Sequence, residues 1–166
     1  MNIRTTPLKG SAAGLAIILL AACATQPKPL QGQFQALTPQ QAAASAQAGA
    51  LVRWGGRIIR TEPRADRTCF EVISTRLNSD GRPARASDDT SGRFLACRAG
   101  FYDPALFQAD REVTFTGRLE GYEDRKVEDY LYRFPRVAAN VVYLWPQRER
   151  VDVQVRPLPR WGWGWW

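Results

Sequence analysis

The sequence predicts a mainly β fold, a small antiparallel OB-like barrel of five or six strands, preceded by a tether and one short helix. Three observations carry that prediction. From residue 51 onward the chain breaks into short β-like runs separated by Gly, Pro, Asp and Ser clusters, the pattern of a small sandwich or barrel. The run "REVTFTGRLEG" (111–121) alternates with a period of two, placing Val113, Phe115, Gly117 and Leu119 on one face and Thr114, Thr116 and Arg118 on the other. One small helical turn, "DPALF" (103–107), falls between the third and fourth strand candidates, where an OB barrel carries its helix. At 166 residues with 45% hydrophobic content, the chain suits one domain with extensions.

The N-terminus has the order of an export signal: Arg4 and Lys9, then the apolar "AAGLAIILLAA", too short for a bilayer span of about 20 residues. It ends in "LAAC" (20–23), the form of a bacterial lipobox, so residues 1–22 read as a lipoprotein signal peptide and Cys23 as the acylated first residue of the mature chain. Two or three acyl chains, at about 0.8 kcal/mol per buried methylene, anchor a protein stably. Ala24 is not the aspartate of the enterobacterial inner-membrane retention pattern, which favours the outer membrane. The Gln- and Pro-rich stretch to residue 37 reads as the lipid-anchored, flexible tether. In "TPQQAAASAQAG", Thr38 is placed as an N-cap, Pro39 at the first helical position and Gly49 at the end of a short helix.

Further strand candidates are 51–60 "LVRWGGRIIR", 68–75 "TCFEVIST", 92–98 "GRFLACR" and 137–145 "VAANVVYLW", with 151–156 "VDVQVR" as a possible sixth. Gly55 and Gly56 are expected to form a bulge that bends the first strand. With Cys23 acylated, Cys69 and Cys97 remain, equidistant from Pro83 in the turn-rich "NSDGRPAR". Pairing Cys69 with Cys97 across antiparallel strands sets Phe70 opposite Ala96 and Val72 opposite Phe94, an apolar face consistent with the bridge. A disulfide there is expected in an oxidising compartment; two buried free cysteines are the alternative.

The chain carries a formal charge of +7 and no histidine. Without histidine it lacks the commonest general base and the commonest metal ligand, which weighs against hydrolase and metalloenzyme schemes; no enzymatic activity, cofactor or metal is expected. Removing residues 1–22 takes away Arg4 and Lys9 and no acid, leaving a surplus of five positive charges. Such a surplus suits anionic head groups, and export makes nucleic acid an unexpected partner.

The order of "VRWGGRI" (52–58), "FEVISTRL" (70–77), "DGRP" (80–83), "SGRFLA" (91–96), "GFYDPALFQADREVTFTGRLEG" (100–121), "YLYRFPRV" (130–137) and Trp145 resembles the Slp family of bacterial outer-membrane lipoproteins, the starvation-inducible group. The resemblance covers about residues 38–146 plus the lipobox. It implies an outer-membrane lipoprotein on the periplasmic side, associated with envelope maintenance or starvation and stationary-phase adaptation, with no transferable catalytic residue.

The candidate boundaries are therefore 1–22 signal, 23–37 lipidated Cys and tether, 38–146 β domain and 147–166 C-terminal extension. Arg53, Trp54 and Arg57 form a candidate ligand surface, aromatic for stacking and cationic for peptidoglycan or an anionic glycan; the plainer reading makes Trp54 a core plug and the arginines a solvated edge. Asp88 and Asp89 are adjacent acids in a loop, more often solvated than catalytic. Trp161, Trp163, Trp165 and Trp166 alternate with glycine at the terminus, a candidate membrane contact, since indoles favour the head-group zone. An envelope protein is the other partner considered.

Overall fold

A computed structural model describes residues 25–46, 48–85 and 89–148. Five strands, β1 (Leu51–Pro63), β2 (Arg67–Thr75), β3 (Arg93–Ala99), β4 (Glu112–Val127) and β5 (Tyr130–Leu144), form a closed barrel in the order β1-β2-β3-β5-β4, with β4 returning to β1. The expected mainly β, OB-like barrel is present, with one correction to the expected antiparallel sheet. The β3–β5 seam is parallel, Leu95 opposite Arg136 and Cys97 opposite Ala138. β4 pairs with both β1 and β5, so closing the cylinder sends β5 alongside β3 in the same direction. A sixth strand at 151–156 lies outside the described residues.

The β2–β3 register is the one the cysteines imply: Cys69 faces Cys97, Phe70 faces Ala96 and Val72 faces Phe94. A disulfide joins the cysteines, whose α-carbons are 4.1 Å apart. Phe70, Val72, Phe94 and Ala96 point inward and are fully buried. From them the core continues as a run of ring contacts: Trp54 on Phe94 at 5.3 Å, Phe94 on Phe115 at 5.9 Å, Phe115 on Phe70 at 5.4 Å and Phe70 on Phe107 at 5.3 Å. Edge-to-face and tilted pairs at these separations are the favoured aromatic geometry.

The helix α1 (Pro39–Ser45) begins as its sequence requires. Thr38 Oγ1 accepts from the Gln41 amide and Gln41 Oε1 accepts from the Thr38 amide, a complete capping box. It ends earlier than Gly49, with Ala46 in the left-handed region at φ 52°. The "DPALF" segment is the single turn expected: Asp103 O accepts from the Leu106 and Phe107 amides, and Asp103 Oδ1 from the Ala105 amide. That turn delivers Phe107 to the core.

The expected glycine bulge sits elsewhere. The β1–β2 register slips between Ile58 and Arg60, while Gly55 and Gly56 remain paired with both β2 and β4. Their role is close approach: a Cβ on Gly56 would stand 1.9 Å from the Ile73 carbonyl oxygen, so the neighbouring backbone occupies the space of a side chain.

The β4–β5 hairpin extends well beyond the expected 121 and 137, to Val127 and Tyr130. Charged residues on both faces and Pro135 conceal it in the sequence. Arg125 ties it to the β1–β2 turn, reaching Glu62 at 3.2 Å and Glu123 at 2.7 Å. Partial burial of the Glu62 carboxyl raises its pKa, but Arg64, Arg125 and Arg60 together outweigh that and hold it below the ordinary value of 4.5. A depressed folded-state pKa gives stability that is complete above the unfolded value and lost as pH falls through the folded one. The Glu62→Gln variant is therefore expected to be less stable than wild type at neutral pH, and the difference to shrink as acid melts proceed below pH 4.5.

Candidate functional site

The segment expected to be a free tether packs on the barrel across residues 26–38. Leu30 is fully buried, the Gln35 amide donates to the Leu51 carbonyl at 2.8 Å, and Phe34 lies under the Arg53 guanidinium at 5.1 Å. Arg53 Nη1 donates to Gln26 Oε1 at 2.7 Å and to the Leu30 carbonyl at 3.0 Å, and Trp54 Nε1 donates to the Leu37 carbonyl at 2.6 Å. Apolar anchors and strand-side donors absorb a segment whose composition resembles a linker.

A groove of about 640 Å³ opens between this arm, β1 and the end of β2. Arg53 and Trp54 stand on one side, Ser74 to Leu77 on the other, with Asp89 and Ser91 at the rim. Two of its side chains lack a partner. The Thr75 hydroxyl is buried beneath the groove with no hydrogen-bond partner among the described residues, an arrangement that folded proteins seldom leave unanswered. Arg76 is exposed and has no ion pair among the described residues. The Arg76 guanidinium and the apolar flank of Leu37 and Leu77 can recognise an anionic ligand. Asp89 is the carboxylate among the described lining residues.

The structure brings Arg53 and Trp54 to one groove and places Arg57 in another pocket. Trp54 points inward, is 5% exposed and belongs to the core; its hydrogen bond to Leu37 makes it the clasp of the arm. Arg53 points outward and is engaged by Gln26 and Leu30. Arg57, four residues and roughly 13 Å further along the strand, pairs with Asp110 at 3.7 Å and lines a different pocket. Alternation along β1 turns Trp54 away from its neighbour Arg53, and distance along the strand separates Arg57 from both. Thr75 and Arg76 were not singled out from the sequence, because an orphaned hydroxyl is visible only once its surroundings are folded. Cys23, Asp88 and the terminal Trp161, Trp163, Trp165 and Trp166 lie outside the described residues.

Comparison with known proteins settles the kinship. The family model described as the outer membrane lipoprotein Slp family matches residues 20–166. The chain belongs to the Slp family. It is 27% identical to the uncharacterized lipoprotein YeaY of Escherichia coli (strain K12), covering 99% of this chain and 86% of that protein. It is 28% identical to the outer membrane protein Slp of the same organism, over 87% of this chain and 84% of that one. An uncharacterized protein of Haemophilus influenzae is 29% identical over 76% of this chain and 70% of its own. No solved structure matches. For this Slp family member the matched span begins at Leu20, the first residue of "LAAC", and takes in the arm, the barrel and the C-terminal extension.

Proposed function

We propose that this Slp family protein is a non-enzymatic outer-membrane lipoprotein, acylated on Cys23, with its barrel on the periplasmic face, serving envelope maintenance in starvation or stationary phase. The observation that carries the reading is the run of rings from Trp54 to Phe107, which fills the barrel with side chains. A barrel packed in this way acts through its surface rather than through an internal chamber. Family membership and the position of "LAAC" support the anchor.

A second reading, a periplasmic binding module for peptidoglycan or an anionic glycan, is favoured by Arg76, which lines the outer groove, is exposed and has no ion pair among the described residues. One set of strains tests both. Cys23→Ser is expected to leave an unprocessed precursor absent from the outer-membrane fraction and to reduce stationary-phase survival as far as deletion does. Arg76→Glu is expected to survive like wild type if the protein acts as an anchored envelope module. Survival at the deletion level, with loss of retention on purified sacculi, supports the glycan-binding reading instead. Full survival of the Cys23→Ser strain, with the protein unacylated, would overturn the first.

A further inference from the structure

We propose that an arginine-lined pocket beside the chain exits binds the phosphate groups of anionic lipids and sets which face of the barrel rests on the membrane. The proposal rests on the reading of Cys23 as the acylated residue. The pocket has a volume of about 590 Å³ and brings Arg57, Arg85, Arg111 and Arg148 together with Asp110 and Glu112. Among the described residues its positive charge is poorly matched. Glu112 is shared between Arg82, at 2.6 Å, and Arg148, at 3.1 Å. Asp110, whose side chain is 86% exposed, meets Arg57 at only 3.7 Å. Arg111 is held by neutral groups, donating to the Leu106 carbonyl at 3.0 Å and the Trp145 carbonyl at 3.1 Å, while its Nε is buried without a partner among the described residues. Arg85 is exposed and has no ion pair among the described residues. Guanidiniums positioned by backbone carbonyls present their remaining donors as a fork that suits phosphate oxygens.

The location identifies the source of the phosphate. The loop 78–83 touches the chain where it enters the barrel and where it leaves. Gly81 abuts Gln26, since a Cβ there would stand 2.9 Å from Gln26 Nε2. Its neighbour Arg82 donates to the Pro146 carbonyl at 2.7 Å, and Arg148 donates to the Pro83 carbonyl at 3.1 Å. Gln26 follows Cys23 by three residues, which span about 10 Å when fully extended. An acyl anchor at Cys23 therefore holds this loop, with Arg82 beside it, about one Debye length from the head groups, where each arginine is attracted to an anionic leaflet.

The test uses the mature protein extracted from the membrane fraction, in vesicles of phosphatidylcholine alone and of phosphatidylcholine with phosphatidylglycerol. Hydrogen exchange is followed at the amides of 109–112, 145 and 147–148. Exchange is expected to be slower in the phosphatidylglycerol vesicles at low salt, and the protection to vanish at high salt. Arg57→Gln and Arg85→Gln, whose side chains hold no backbone group among the described residues, are each expected to reduce that protection roughly fivefold. Equal exchange in the two vesicle types overturns the proposal. Equal protection by inorganic phosphate without vesicles also overturns it, by making the pocket a site for a soluble anion. Failure to float with either vesicle refutes acylation of Cys23 itself and is distinct from both.

Discussion

Replacing Cys69 and Cys97 together by alanine is expected to lower folding stability by roughly 3 to 4 kcal/mol, the loop-closure entropy of a bridge spanning 28 residues. For a domain of this size the melting temperature should drop on the order of 10 °C. Both cysteines are buried, and the double variant avoids leaving one reactive thiol behind. Their register is already held by the flanking β2–β3 ladder from Arg67–Ala99 to Ile73–Arg93, so the native barrel should keep its pairing and the loss should come from the denatured chain. Urea melts distinguish these origins. Removing the crosslink lets the unfolded ensemble expand, so the m-value should rise as the midpoint falls. A loss below about 1 kcal/mol would mean that the loop between the strands stays closed in the denatured state.

Trp54→Ala is expected to be at least as damaging, at about 3 to 5 kcal/mol, the range for removing a large aromatic side chain from a packed core. Its indole touches Phe94 and lies in the same cluster as Ala42, Val52 and Phe115. The Trp54→Phe variant separates its two roles. A phenyl ring retains much of the packing but cannot donate to the Leu37 carbonyl, a bond of 2.6 Å in the native protein. A loss of roughly 1 to 2 kcal/mol is expected, in the range for a stranded acceptor, with faster proteolysis at residues 33–38 as the arm detaches. An unchanged melting temperature in Trp54→Ala, together with weakened glycan binding, would return Trp54 to the role of a ligand platform.

Much of the barrel was legible because its signals are local. The period-two alternation of 111–121 identified β4, and the two cysteines with their apolar neighbours gave the β2–β3 register residue by residue. Thr38 as an N-cap, followed by proline, located the start of α1 at Pro39. The hairpin between Glu120 and Arg136 was hidden, since its stability comes from cross-strand pairs such as Arg136 with Glu120 at 3.4 Å and from Arg133 over Tyr122 at 4.8 Å. Such pairs leave no apolar period to read.

The sequence alone determined the β class, the disulfide partners and the inward and outward faces of β2, β3 and β4, because side-chain alternation and cap chemistry act over a few residues. Tertiary structure decided how the barrel closes, with β5 parallel to β3, and it converted the presumed tether into a packed arm. It also divided Arg53, Trp54 and Arg57 between the arm contact, the core and a second pocket. The same closure gathered Arg57, Arg85, Arg111 and Arg148 at the chain exits. Each of these outcomes depends on partners far apart in the chain, as when Arg148 donates to the Pro83 carbonyl 65 residues away. No local period encodes such a meeting, since a guanidinium finds its acceptor only after the backbone has been carried around the barrel.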